Sequence, residues 1–296
     1  MKNRIMNQHR KIGPILAMLL LGGTVFSQET FQVVSKGIEK TFDRLPNLKI
    51  DAEKADIELI VWEGDKIKVN IELVAKHPDR KTALKDLEML KYVADKFGNE
   101  VILRNYLQTQ GENAKVESNL KAKYVVKIPE LMAVSIHNTF GKVIVSGKFK
   151  QLQLKTDFCN ADLKNITGNL KLETHYGEAQ CQNISGKITI KSDRTNLMIN
   201  NISEECVIVS QYGKLKIQQI YNLQKLNIDA QKSEISLVGI PLKNYAFHLV
   251  NDYGKLKIPS SFSSSTQNNH QVALFNENLA SKIYISNSFG ITSIEN

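Results

Sequence analysis

The side chains that could do chemistry here fall into four groups, and a repeat in the sequence decides which of them can meet. Asp157, Asp193 and Asp252 recur in one frame of that repeat. Rows of acids with a basic residue beside them cleave polysaccharides in β-helix enzymes. Aspartate at a corner also bonds its own backbone and favours the turn. With no second acidic row flanking the first, the turn role is the stronger reading. His137, His175 and His248 fall at three different repeat positions and match no zinc-protease or deaminase spacing, so no metal or acid–base role is expected of them. Cys181 and Cys206 occupy positions otherwise held by apolar residues and are expected in the core, with Cys159 at a corner and more exposed. Three cysteines cannot all pair internally, and no disulfide framework is expected.

The lysines form the one outward pattern. Lys142, Lys214 and Lys255 share one position of the repeat, and Lys216 and Lys257 share another two residues on. Lying between inward apolar residues, both positions face solvent. Such a strip suits anionic glycan, lipopolysaccharide phosphate or a teichoic-type polymer. A charged face that discourages sheet-to-sheet pairing is the plainer alternative, and Glu178 and Gln180 interrupt the strip. The sequence holds no nucleotide-binding glycine loop, Ser-His-Asp arrangement or paired-cysteine zinc site. No cofactor and no catalytic residue is expected.

A repeat must position these residues. Five aromatic–glycine pairs recur: Phe140-Gly141, Tyr176-Gly177, Tyr212-Gly213, Tyr253-Gly254 and Phe289-Gly290, mostly 36 residues apart. Self-similarity at a fixed period marks a stacked architecture. An 18-residue period lies beneath it. Let position 0 be the second apolar residue of each short strand: Ile136, Leu154, Leu172, Ile190, Ile208, Ile228, Leu249 and Ile285. Apolar residues then fall at −2, +7, +9 and often +12, as with Ile188, Leu197, Ile199 and Ile202 around Ile190. That is the period of a strand with one side chain in and the next out. Position +2 is small and polar in Asn138, Thr156, Thr174, Ser192, Ser210, Asn251 and Asn287. The aromatic and glycine follow at +4 and +5 in alternate units, where glycine would supply a positive-φ corner. The fold class expected is all-β, a parallel β-solenoid. Either it is built of 18-residue coils of two alternating kinds, or of 36-residue coils in which all five aromatics stack.

Ahead of the main repeat, Leu48, Ile50, Ile57, Leu59 and Trp62 make one outlying copy. Ile67, Val69, Ile71 and Leu73 continue as an alternating strand. Asp79 to Phe97 reads as a helix stopped by Gly98. Val101–Leu107 and Tyr124–Ile128 read as strands, with a polar connector over Gln108–Asn119 between them and Pro129 after them. This α+β insertion suits a cap, because an open terminal coil exposes unpaired edges.

The first residues read as an export signal. Lys2, Arg4, Arg10 and Lys11 precede a short apolar run from Ile12 to Phe26, with Val25 and Ser27 placed for cleavage before Gln28. No cysteine follows that run to be acylated, and no second stretch is long enough to cross a membrane. Losing the leader takes four basic residues from the formal charge of +9. The mild, dispersed remainder does not point to nucleic acid. The organisation expected is a signal over 1–27, a first coil with its insertion over 28–130, and the repeat domain over 131–296.

The pair of strands over Leu48–Gly64, the step Ile128-Pro129 and the serial units from Val134 to Ile294 resemble the bacterial β-strand-repeat family labelled "putative adhesin", whose molecular function is undefined. The Tyr-Gly and Phe-Gly corners depart from its more usual small residue before glycine. The resemblance implies a β-solenoid in a periplasmic or cell-surface setting and brings no catalytic residues. The expectation is an exported, non-enzymatic binding or scaffold module, its partner an anionic envelope polysaccharide or an envelope protein. A polysaccharide-active β-helix enzyme and an accessory or sensor protein of an envelope-stress system are the alternatives.

Overall fold

An apolar residue at every second position buries one face of an extended chain, and the strands obey that rule. The computed structural model describes residues 30–109 and 115–295; the leader lies outside them. From Phe31 onward the chain is one unit, all-β apart from short helical pieces, its strands joined in a single 17-stranded sheet. β8 (Ala133–Ser185) bends through several units, and β9 (Lys187–Gln211) and β10 (Lys214–Gln231) each round at least one corner, the β9–β10 pairing shifting register between Ile220 and Lys225. Leu170 pairs with Ile188, Leu172 with Ile190 and Ile184 with Ile202, all in parallel register. Leu197 likewise pairs with Leu215 and Ile208 with Ile228. Neighbouring units are therefore offset by the 18-residue period, lengthened slightly between Ile208 and Ile228. Positions two periods apart are separated by an intervening unit. Ile190, Ile199, Ile202, Ile208 and Ile217 are all fully buried.

The corner at +4 and +5 works differently from the sequence expectation. Positive φ sits at +4, whatever residue stands there: 55° at Phe158, 52° at Tyr176, 48° at Arg194 and 52° at Tyr212; of the five +5 glycines only Gly141 shares it, at 137°. Glycine at +5 answers a steric demand. A Cβ on Gly177 would run into the carbonyl oxygen of Cys159 in the unit before, and one on Gly213 into that of Thr195. In alternate units +5 keeps a small polar side chain. Thr195 Oγ1 donates to the carbonyls of Asp193 (3.0 Å) and Thr174 (3.3 Å), and Ser233 Oγ to those of Gln231 (3.0 Å) and Ser210 (3.2 Å). Cys159 makes the same pair of contacts to Asp157 and Asn138. Its thiol does a hydroxyl's work, so it is buried like Cys181 and Cys206, against the expectation of a more exposed corner. Burial pushes the Cys159 thiol up to about 11, too high for a reactive thiolate.

The ends are built from antiparallel strands. β2 (Asn47–Glu53) and β3 (Ala55–Val61) form the outlying copy, parallel to β8 on one side. On the other side they pair with β6 (Glu100–Leu107) and β7 (Asn119–Ile128). β4 (Lys66–His77) runs antiparallel to β7, and β1 (Gln32–Asp43) antiparallel to β4. The helix expected over Asp79–Phe97 covers only α1 (Arg80–Met89), capped by the Asp79 carboxylate on the Thr82 N–H. Leu90–Phe97 is instead β5, paired with β6. Tyr92 and Val93 favour a strand, and Gly98 at φ +60° turns the β5–β6 hairpin instead of ending a helix. At the far end, β16 (Lys282–Ser288) pairs with β10 on one side and β12 (Ala246–Asp252) on the other, so the last unit in sequence is the penultimate one in space.

Candidate binding face

Because the inward positions are filled by packed apolar side chains, whatever this chain binds must meet its outer surface. The most continuous outer feature is the +4 corner. Phe140, Phe158 and Tyr176 stack at centroid separations of 5.1 and 4.8 Å, nearly parallel. Arg194 continues the pile, its guanidinium 5.3 Å from the Tyr176 ring and 4.7 Å from the Tyr212 ring. Lys232 lies 5.1 Å over the other side of Tyr212, and Phe289 and Tyr253 stack at 5.2 Å near the end of the molecule. Of the five aromatic–glycine pairs only Tyr253 and Phe289 thus stack directly on each other, where a 36-residue coil would require it of all five. Phe158, Arg194 and Lys232, absent from the aromatic–glycine pattern, fill the gaps. The rings are about half exposed, from 43% at Tyr176 to 64% at Tyr253. Between rings, the faces are already covered by neighbours. What the ridge offers along most of its length is ring edges, tyrosine hydroxyls and two cations.

Beside the ridge, on the strand leading into the corner, lies an acid–imidazole ladder. His137 Nδ1 is 3.3 Å from Asp51 and its Nε2 3.3 Å from Asp157; His175 Nδ1 is 2.8 Å from the other oxygen of Asp157. Glu173 stands 3.9 Å from His175 and 3.7 Å from Lys155. Burial alone would raise the Asp157 carboxyl, but the hydrogen bonds from His175 and His137 outweigh it and hold the group below the ordinary range. Asp51 and His137 share position +1 of neighbouring units and Asp157 and His175 share +3; only the His137–Asp157 step crosses between them. Sorting the positions by residue type hid the ladder, in which His175 separates the aligned Asp157 and Asp193. Among the described residues no group of three or more His, Cys, Asp or Glu side chains is placed to hold a metal ion.

The lysines lie on the opposite side of the corner. Lys142, Lys214, Lys255 and Lys257 are exposed and Lys216 is half-buried. They are not neighbours in a row. Lys214 pairs with Glu234 at 3.3 Å, and the units carrying Ser236 and Ser293 lie between Lys216 and Lys257. Lys214 and Lys216 on one side and Lys255 and Lys257 on the other therefore make two basic clusters, with Lys142 remote from both.

A groove of about 550 Å³ near Trp62, lined also by Arg44, Glu63, Asp65 and Glu130, has the composition of a sugar site. Its indole is not free to serve as a platform. Lys68 Nζ sits 4.4 Å over the ring and Gly64 presses against it, while the indole N–H donates to the Lys66 carbonyl.

Stacked β units over most of the chain, closed by antiparallel strands, define the class. The chain belongs to the family described as Toastrack DUF4097, whose profile matches residues 45–295. No curated protein matches it. Among solved structures it is similar to a "putative adhesin" from Parabacteroides distasonis (11% identity, TM-score 0.39, 89% of this chain and 96% of that one). Another "putative adhesin", from Bacteroides fragilis, is 11% identical with a TM-score of 0.35, over 88% of this chain and 97% of that one. A "putative lipid binding protein" from Parabacteroides distasonis is 11% identical with a TM-score of 0.37, over 88% and 96%. No helix among the described residues is long and apolar enough to cross a membrane, which says nothing of a β-barrel.

Proposed function

We propose that this chain is an exported, non-enzymatic binding scaffold of the cell envelope or surface: a parallel β-solenoid of 18-residue coils over 131–296, with 28–130 forming its first coil and cap. The observation that carries this reading is the outward ridge of Phe140, Phe158, Tyr176, Arg194, Tyr212 and Lys232. It repeats once per coil, runs the length of the stack and encloses no cavity. A ligand that is itself a repeating chain meets the same chemistry at each step. The two basic clusters, Lys214 with Lys216 and Lys255 with Lys257, together with Lys142, favour a polyanion such as an acidic envelope polysaccharide.

Dextran sulfate serves as the probe. The mature chain is expected to bind it weakly, without cleaving it, and to lose binding as salt rises, because exposed charges are screened over about 8 Å at physiological ionic strength. Replacing the five lysines with glutamine should remove binding and leave the melting temperature unchanged, since those side chains make no core contacts. Full binding by the glutamine variant would overturn the lysine assignment. Depolymerised product would overturn the non-enzymatic reading.

A further inference from the structure

Four strands among those described leave one edge unpaired, and they are not equally protected. β1 carries Lys36, Glu39, Lys40 and Asp43, and β5 carries Lys91, Asp95 and Lys96. Both also touch α1. β13 (Lys255–Lys257) is three residues long with a lysine at each end, and its Leu256 N–H is taken by the Gln271 side chain at 2.8 Å. β14 (Ser263–Gln267) has none of these protections. It pairs only with β15 (His270–Phe275), in unbroken register, and all five of its residues are exposed. No charged residue occurs anywhere from Pro259 to Asn269. Charge, short length and bulges are how proteins keep edges from pairing. Here they are missing from one edge only.

The edge is also held ready. Phe262, just before β14, is buried and stacks on Phe275 at 4.9 Å, with Phe247 at 5.4 Å edge-on. β15 in turn pairs with β12, so β14 is the outermost strand of the sheet at this end. Gln267 pairs with His270 across a two-residue loop, and in such hairpins the closing pair is hydrogen-bonded. Alternation then points the N–H and C=O groups of Ser264 and Thr266 off the free edge.

We propose that β14 is a self-association edge, pairing antiparallel with β14 of a second copy about a twofold axis at Ser265. In that register Ser264 faces Thr266 of the second copy and Thr266 faces its Ser264, so each pair exchanges two backbone hydrogen bonds. The argument for a second copy is charge: in an isologous contact a strand meets itself, so a strand whose charges are all of one sign repels its copy. An uncharged Ser-Ser-Ser-Thr-Gln strand does not, whereas β13, whose only charges are Lys255 and Lys257, does. The contact is small, so the dimer is weak and appears only at high concentration.

Sedimentation equilibrium of the full mature chain tests this. The wild type should show a monomer–dimer equilibrium insensitive to salt. Ser264→Pro removes an outward N–H without touching the β15 ladder and should weaken the dimer by at least about tenfold. Thr266→Lys should weaken it similarly, but regain part of the loss at high salt as the two ammonium groups are screened. Circular dichroism melting at low concentration separates lost pairing from lost folding: both variants should melt like the wild type. A wild type that stays monomeric at every concentration overturns the proposal. So does a dimer that survives both substitutions, or one that dissolves with salt in the unaltered chain. Monomeric wild type that captures a strand-forming peptide of unrelated sequence would assign the edge to another protein instead.

Discussion

Two of the tight corners in each unit solve one backbone problem with opposite chemistry. At +11, Asn165, Asn183 and Asn201 hold φ of 53°, 54° and 61°. At +4, Phe158, Tyr176 and Arg194 hold 55°, 52° and 48°. Asparagine enters the left-handed region readily, and here each amide also bonds the next: Asn183 Nδ2 to Asn165 Oδ1 at 2.9 Å, Asn201 Nδ2 to Asn183 Oδ1 at 2.8 Å. Large side chains enter it at roughly 1–2 kcal/mol each. Stacking returns about 0.5–1.5 kcal/mol per pair, enough to offset the strain and no more. The asparagine corner is therefore a device for stability. The aromatic corner gains little stability by its choice of residues, which leaves the exposed surface it creates as the reason for it.

The sharpest way to break this comparison is to load the aromatic corner where it has no room. Gly213→Ala places a methyl group against the Thr195 carbonyl oxygen. The backbones must part, costing on the order of 3 kcal/mol, read as a fall in the midpoint of urea unfolding. A cost near zero would mean the corners are loosely packed and the ridge spacing adjustable. A smaller effect is expected at the other corner. Asn183→Ala loses two exposed amide contacts and puts a Cβ residue without a polar side chain at positive φ, about 1–2 kcal/mol together. Asn183→Gly should recover most of the backbone share. If glycine recovers nothing, the amide ladder and not the φ angle is what asparagine supplies there.

The contrast also explains what the sequence made legible. Inward positions are set by alternation within one unit, so Ile136, Ile190, Ile217 and their equivalents could be placed in the core from spacing alone. The corner residues could be found because glycine marks a close approach. Which side chains meet on the surface depends on the offset between units, and a pattern that repeats in alternate units hides that offset. Phe158, Arg194 and Lys232 therefore stood outside the aromatic–glycine pattern, although they complete the ridge. His137 and His175 were set aside because histidines were compared only with histidines: His175 stands in the +3 column directly beside Asp157, and only His137 reaches Asp157 diagonally. The lysine columns suffered in the opposite direction, since shared position suggested adjacency where Glu178 and Glu234 intervene. The strands β1 and β14 carry too few buried residues for any alternation to announce them; only Val34 and Ile38 of β1 are inward.

The smallest expected effect sharpens the comparison most. Tyr176→Asn gives the aromatic corner the asparagine solution at a single step. It gives up the stack on Phe158 and the contact with Arg194, and it relieves the strain of a bulky residue at φ 52°. Both terms are about 1 kcal/mol and of opposite sign, so unfolding midpoints should agree within about 0.5 kcal/mol of the wild type. The same variant interrupts the ridge in its middle. If the ridge is a binding surface, affinity for the dextran sulfate probe should fall while stability holds, because the pile is interrupted and Arg194 loses one of the two rings that hold its guanidinium. A stability loss of about 2 kcal/mol or more, the scale of a genuine structural contact, would instead make the ring pile a structural spine, like the asparagines at +11. The ligand contacts would then belong to the lysine clusters alone, because the ridge would have been selected for the stack it holds together.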